Sequence, residues 1–384
     1  MSQYCVYHLH SDMSNGVTNI DSVTKFQKYI DRAKEVGMKA MAFSEHGSVF
    51  AWDLKKEAIE KAGMKYIHAE EFYITQTLEE KVRDNWHCVL IGKNWDGVRE
   101  LNYLASKSFN RKDNHFFYVP RITINDLLNT SDNIIITSAC LGGPLNHAPE
   151  NIVKRLLEFM STNKHRCFLE IQHHNVSDQK TYNLQLVQWS KKYGIPLIAG
   201  TDTHSLDEIY AEGRKILQKS KDICFGDEDG WDLSFKTYDE LCEAYRKQGA
   251  LSEDVYLTAI ENTNKMADMV EEFVLDRHTK YPKIYDDPVK TFKQKINEGY
   301  KNNKYIHQRY SKKEVLDRVQ EELAVYEKVG AIDFMLLETY IREWEKSVGI
   351  HSGPGRGSVS GSMIAYLLNI TKMDSLKFHL NFFR

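Results

Sequence analysis

Tyr4-Cys5-Val6-Tyr7-His8-Leu9-His10 is an apolar run that ends in two histidines, and the same arrangement returns along the first half of the chain. Met41-Ala42-Phe43 leads to Glu45 and His46, Tyr66-Ile67 to Glu70 and Glu71, and Ile134-Ile135-Ile136 to Cys140. Phe168-Leu169-Glu170-Ile171 leads to His173 and His174, and Pro196-Leu197-Ile198-Ala199 to Asp202 and His204. Val89-Leu90-Ile91 differs in carrying its histidine, His87, at its start. Short strands that deliver nitrogen, oxygen and sulfur ligands to one end describe a metal site.

Helical segments separate the runs. Val23, Phe26, Ile30 and Ala33 have helical spacing, with Asp21 or Ser22 available as the cap and Gly37 to end the helix. Further helical patterns fall at 52–62, 97–108, 151–161 and 178–193. Alternating strand and helix predicts a parallel sheet with right-handed crossovers. Roughly seven such units precede Ser205, close to the eight of a closed β/α barrel, so the expected fold is α/β, a distorted (β/α)7-type barrel. Barrel topology would gather ligands scattered from His8 to His204 into one pocket, whereas an open sheet would spread them along an edge.

From Lys221 the pattern changes to a turn, Gly226-Asp227-Glu228-Asp229-Gly230, and then to helical segments at 238–247 and 253–270. Pro282 and Pro288, flanking Asp286 and Asp287, mark a boundary, which divides the chain into 1–276 and a smaller, mostly helical or α+β segment at 277–384. There Lys290, Lys293, Lys295, Lys301 and Lys304 interleave with Tyr300, Tyr305 and Tyr310, a mixture able to grip a phosphate backbone. Acids return at Glu314, Asp317, Glu321 and Glu322, so a solvated helical face is the plainer account.

A net charge of −3 excludes a uniformly basic nucleic-acid coat but not a local basic groove. The 6 cysteines have no paired CxxC spacing, which argues against a disulfide framework and fits a reducing cytoplasm. Neither a leader at Met1-Ser2-Gln3-Tyr4 nor an apolar stretch of the ~20 residues a membrane span needs is apparent, so no membrane partner is expected.

In His8-Leu9-His10, residues two apart on an extended chain point to one side, so both imidazoles can meet one cation. An interior histidine more commonly just hydrogen-bonds. What favours metal is the convergence of His8, His10, His46, Glu71, His87, Cys140, His174, Asp202 and His204 on one barrel face. If their runs are regular strands, His68 points away from Glu71 and His173 away from His174, while Cys167 belongs to the core.

His8-Leu9-His10-Ser11-Asp12-Met13-Ser14, Ser44-Glu45-His46-Gly47 and Gly200-Thr201-Asp202-Thr203-His204 resemble motifs of the polymerase and histidinol phosphatase (PHP) domain. That resemblance implies a distorted β/α barrel that holds up to three divalent metals and hydrolyses phosphoesters. By position, His8, His10, Glu71 and Asp202 would hold the first metal and be indispensable to catalysis. Glu71 would bridge to a second, held with His87, Cys140 and His174, and His46 and His204 would belong to a third. Imidazole and thiolate ligands favour zinc or manganese over magnesium. Two positions depart from the pattern: Asn15 stands where the family's turn carries an Asp, and Glu45 replaces the Asp before His46. Glu45 with its longer arm, or Asp12, are the open substitutes at the third metal.

Near the other end, Gly353-Pro354-Gly355-Arg356-Gly357-Ser358 precedes the apolar run Met363-Ile364-Ala365-Tyr366-Leu367-Leu368. Glycines and serines opening a helix present backbone N–H groups to a triphosphate, with Gly355, Arg356, Gly357 and Ser358 as the candidate phosphate contacts. This stretch, with Ala331-Ile332-Asp333-Phe334-Met335, Tyr340, Ile341 and Trp344, resembles the start of the palm in the bacterial replicative DNA polymerase III alpha subunit family. Such a resemblance implies an amino-terminal fragment with a compact thumb between Pro288 and Lys328, from a bacterial or phage enzyme of the cytoplasm. The family's Pro-Asp-x-Asp-x-Asp polymerase motif is absent. It further implies a DNA primer–template, dNTP with magnesium in the full polymerase, and a sliding clamp or other replisome proteins as partners. The expected activity is 3′–5′ proofreading exonuclease hydrolysis; the alternative is a silent scaffold that stabilises the polymerase and binds a proofreading partner. A free-standing small-molecule phosphatase is disfavoured by the palm-like segment.

Overall fold

The extended segment around His8 is tied on both sides: Val6 bridges Met41 and Leu9 bridges Thr203, both in parallel. These ties close a gap in a sheet of eight strands, β1 (Ala40–Phe43), β2 (Lys65–Thr75), β3 (Trp86–Gly92), β4 (Phe116–Phe117), β5 (Val119–Thr123), β6 (Ile134–Thr137), β7 (Cys167–Gln172) and β8 (Leu197–Gly200). The order is β4-β5-β2-β3-β6-β7-β8, with β1 also paired to β2. This computed structural model describes residues 3–79, 82–223, 230–278, 280–355 and 357–382. It divides into two units, Met1–Val274 and Leu275–Arg384.

Continuous apolar strands belong to sheets covered on both faces. Ile67, Ala69, Val89, Ile91, Ile135 and Ile198 face the inside of the curl, where Cys5, Tyr7 and Met266 join them. Tyr66, Phe72, Leu90, Ile134, Ile136 and Leu169 face outward against the surrounding helices. The fold is thus the α/β curled barrel expected, with one correction. β3 runs antiparallel to both β2 and β6. Its starting end therefore lies beside the finishing ends of its neighbours, which is why His87, at the start of its run, still reaches the ligand-bearing face. The expected all-parallel sheet had no place for that reversal.

The first helix runs over Phe26–Glu35 and buries Tyr29, Ile30 and Ala33. Neither Asp21 nor Ser22 caps it; Lys25 occupies the cap position without a side-chain bond, because Asp21 is turned toward the histidines. The turn expected at 226–230 falls outside the described residues, Gly230 excepted. Among the described residues no helix is long and apolar enough to cross a membrane.

The second unit is helical among its described residues: Pro288–Asn302, Lys304–Arg309, Lys312–Lys328, Ile332–Ser347 and Met363–Leu367. They close on Phe292, Ile296, Val315, Met335, Leu336 and Ile364. Lys295 pairs with Glu343 and Lys313 with Asp317, as a solvated, internally neutralised face would.

Glu322 is the one fully buried acid here among the described residues. Its carboxylate accepts from Met363 N (2.8 Å), Ile364 N (2.9 Å), Ser362 Oγ (2.7 Å) and Arg318 Nε (2.7 Å). The opening amides of the last helix are therefore taken by an internal carboxylate, and Ala365 N is taken by Ser362 Oγ. Breaking a buried, hydrogen-bonded charge pair from one side costs about 3–5 kcal/mol. Glu322→Leu should lower the stability of this unit by that order, seen as faster hydrogen exchange at the amides of Met363 and Ile364.

Candidate metal centre

The ligand-bearing residues reach the site from several strands and from the segments that flank them. Glu71 lies on β2, between His46, which bridges it from the segment after β1, and Val89 of β3. His8 and His10 come from the extended amino-terminal segment. Asp202 and His204 follow β8, and Asp202 takes a left-handed backbone (φ 46) that turns the chain at the pocket.

Three groups of ligand atoms meet within 4.8 Å of one another: His8, His10, Glu71 and Asp202; His10, Asp21, His46 and His204; and His46, Glu71 and His87. They share His10, Glu71 and His46, so they form one continuous polynuclear pocket. Glu71 is its hub, with His8 Nε2 at 3.1 Å, His46 Nδ1 at 2.8 Å, His87 Nδ1 at 3.2 Å and His10 Nε2 at 3.4 Å. Burial alone would raise its carboxyl, but the charges of His87, His8 and His46 outweigh that and hold it well below the usual carboxylate range. Burial likewise opposes ionisation of Asp202, and His8 and His204 reverse the effect. The His10 ring, stacked between His46 (4.2 Å) and His204 (4.4 Å), is pushed down to about 4 by burial and by those two neighbours. A neutral imidazole is the form that binds a metal.

Cys140 lies at the edge of this pocket, its Sγ 3.5 Å from His87 Nδ1 and 4.0 Å from Glu71 Oε1. Burial and the charges of Asp202 and Glu71 push its thiol well up, a field that only a cation reverses. His174 is not in any of the three groups. Its ring stacks on Trp231 (4.7 Å) and sits beside His173 (4.6 Å), with the ring nitrogens of both histidines buried and unpartnered. The chain leaves β7 at Gln172, so the strand alternation expected to separate the two rings does not extend to them. His68 does face away, engaging Tyr66 and Asn102, and Cys167 is core.

Asn15 and Glu45 are engaged elsewhere, and Asp12 is in none of the groups. Glu45 accepts from Ser11 N, Ser14 Oγ and Lys55 Nζ, the last a buried ion pair at 2.6 Å, so its carboxylate braces the turn instead of entering the pocket. Asn15 Oδ1 accepts from Asp21 N (2.7 Å) and Ser22 N (3.2 Å), and its amide donates to Ser22 O. The neutral amide thereby positions the backbone of Asp21, whose carboxylate lies 3.4 Å from His46 Nε2 and 3.3 Å from His204 Nε2. The sequence reading missed Asp21 because it sits well past the His-x-His motif and looks like a helix cap.

Glu170 was also missed. It accepts from His8 Nδ1 (2.6 Å), Tyr7 (2.8 Å), Thr137 (2.9 Å) and Gln172 (2.8 Å), fixing which face of the His8 ring looks at Glu71 and Asp202. The signal was a lone acid inside an otherwise apolar strand. Gly200 is required beside it, since a Cβ there would fall 2.0 Å from Glu170 Oε1.

The donor set fits divalent cations. His8 Nε2, His10 Nε2, His46 Nδ1, Glu71 Oε2, Asp21 Oδ2 and Asp202 Oδ1 are all buried and make no hydrogen bond of good geometry; His46 Nδ1 lies 2.8 Å from Glu71 Oε2 and His8 Nε2 3.2 Å from Asp202 Oδ1, so these atoms face one another across this pocket. Buried polar atoms left unpaired in such number point to a bound charge.

At the other candidate site, Gly355, Gly357 and Ser358 are exposed, and Arg356 lies outside the described residues. The last helix begins at Met363, beyond this loop, with its first amides already used. A phosphate would have to be met by the loop itself, because Glu322 already takes the helix amides that the sequence offered for it.

Outer carboxylates that orient a ligating histidine typically contribute 10–100-fold to metal affinity. Glu170→Gln should weaken zinc or manganese binding by about that factor, measured by competition with a chromophoric chelator.

Residues 7–174 match the PHP domain family, and residues 290–384 match the family described as the bacterial DNA polymerase III alpha NTPase domain. The chain is 30% identical over 96% of its length to a DNA polymerase III subunit alpha of Aquifex aeolicus, and 30% identical over 100% of its length to one of Borreliella burgdorferi. It covers 34% of each, so it spans about a third of the length of these relatives. A solved structure from Bifidobacterium adolescentis, assigned as a metal-dependent phosphoesterase, superposes on 53% of this chain and 89% of its own at 13% identity, with a TM-score of 0.35. The chain therefore combines a PHP domain with a DNA polymerase III alpha NTPase segment, in one sequence similar from end to end to subunits alpha of DNA polymerase III.

Proposed function

We propose that residues 1–276 form a metal-dependent phosphodiesterase that trims the 3′ end of a DNA primer, a proofreading 3′–5′ exonuclease, and that 277–384 begin the thumb and palm of a replicative polymerase. The observation that carries this reading is the set of unpartnered ligand atoms around Glu71, buried yet aimed at one pocket. His8, His10, Glu71 and Asp202 would hold one ion; His87 would share Glu71 with a second, Cys140 at its edge; and Asp21, His46 and His204 would hold a third. Divalent cations there, zinc or manganese by the donor chemistry, supply charge stabilisation for a phosphoryl group and acidify a water, so no side-chain nucleophile is needed. His8 is held by Glu170 with one nitrogen committed, which leaves the other for the pocket. Glu71 and Asp202 stay ionised because imidazoles surround them. His174, beside Trp231 and with both nitrogens free of partners, would join only after moving toward the pocket.

The similarity to DNA polymerase III subunits alpha supports a primer–template as substrate, with dNTP and magnesium, and a sliding clamp or other replisome protein, as partners of a longer polymerase in the bacterial cytoplasm. The test uses a 5′-labelled primer–template with a 3′ mismatch, manganese, zinc or chelator, and the Glu71→Ala variant. We expect shortening from the 3′ end that chelator abolishes and that Glu71→Ala reduces by at least about a thousandfold, the scale lost when a metal's charge stabilisation is removed. Bound metal by elemental analysis with no shortening would overturn the exonuclease and leave a scaffold.

A further inference from the structure

The hairpin of β4 and β5 stands next to the metal centre. β1 pairs with β2 at Lys65 to His68, His46 bridges Glu71, and β5 takes over the same edge of β2 at Tyr73 to Thr75. Tyr73, paired with Arg121 of β5, stacks on His46 at 5.6 Å. Gly47 lies so close under the hairpin that a Cβ there would come within 2.7 Å of Pro120.

At the tip, Phe117 pairs with Val119, so Tyr118 alone makes the turn. It does so with φ 63, a left-handed conformation that an aromatic residue seldom takes and that glycine would take freely. Such strain at a tip that could carry glycine points to a use for the ring. Tyr118 is 64% exposed. Arg83 stacks on it at 3.9 Å, and Arg111 stacks on Phe116 at 4.0 Å. Neither guanidinium has a carboxylate partner among the described residues. Buried Arg121 donates to Val82 O (2.7 Å) and Asn114 O (2.9 Å), which fixes the loop of Arg83 against the hairpin. An exposed aromatic ring flanked by exposed arginines that lack a carboxylate partner suits a single-stranded nucleic acid: bases stack on the ring, and guanidinium groups meet phosphates.

We propose that Tyr118, with Arg83, is a stacking platform that holds the unpaired bases of a single strand while its terminus lies in the metal centre. The proposal rests on the nuclease reading of that centre and names the form of its substrate, a frayed or single-stranded end. The test measures binding of a labelled oligo-dT with cleavage-resistant 3′-terminal phosphorothioate linkages to the metal-loaded protein by fluorescence anisotropy. Tyr118→Gly, which suits the backbone of the tip, should weaken binding about tenfold, the typical scale of one lost stack, while Tyr118→Phe should stay within about twofold. Hydrolysis of bis(p-nitrophenyl) phosphate, too small to reach the hairpin, should be unchanged in both variants. Equal binding by wild type and Tyr118→Gly, or no binding by wild type, overturns the platform even if hydrolysis is intact. Tyr118-dependent binding without any hydrolysis upholds the platform and overturns the nuclease reading instead.

Discussion

A carboxylate with no water around it persists only where opposite charge meets it, and that constraint organises the first unit around Glu71. Four imidazoles approach its two oxygens from the amino-terminal segment, the turn after β1 and the start of β3. They arrive from three separate parts of the chain, so the pocket exists only when the sheet has curled and the amino-terminal segment has bridged β1 and the turn after β8. Fold and site are one requirement here: the hydrogen bonds from Ala42 N to Val6 O and from His10 N to Thr203 O hold both the curl and the two histidines of the first motif.

The outer shell shows how that arrangement is kept in register. Glu170 is itself a buried acid, and its carboxylate oxygens are taken up by four hydrogen-bond partners, His8 among them. Glu45 is another, neutralised by Lys55. Glu70, next to Glu71 in sequence but on the opposite face of β2, has no partner for either oxygen, and burial raises its carboxyl well above the usual range. Neighbouring acids on one strand are thus shifted in opposite directions, because period-two alternation sends one among imidazoles and leaves the other buried without a partner.

Much of this was legible in the sequence because the signals were local. An apolar run followed by a ligand needs no knowledge of the rest of the chain, and His8, His10, Glu71 and Asp202 were picked out that way. What escaped depends on distant pairing. The reversal of β3 cannot be read from Val89-Leu90-Ile91, since an apolar run has no direction; only the position of His87 at its start hinted at it. Asp21 escaped because its loop is held in place by Asn15, a contact that spacing does not encode. His173 and His174 were judged by a strand periodicity that stops at Gln172. In the second unit the partner of the last helix, Glu322, lies 41 residues before Met363 and looked like one more surface acid.

The exchange of Asn15 and Asp21 carries a physical lesson about the pocket. The amide of Asn15 spends its carbonyl oxygen on two backbone N–H groups, and the acid that meets His46 and His204 comes from the far side of the same loop. At this corner of the pocket the negative charge comes from Asp21 and not from the turn residue Asn15. This works because an amide is a better brace than a carboxylate: it both donates and accepts, so it closes the loop on Ser22 from two sides at no desolvation cost to a charge. Glu45, meanwhile, keeps its own charge out of the pocket through Lys55. The pocket thus holds three carboxylates, Glu71, Asp202 and Asp21, against His8, His10, His46, His87 and His204. When those histidines are neutral, as metal ligands must be, the uncompensated negative charge is what draws divalent cations in and what would make the same pocket costly without them.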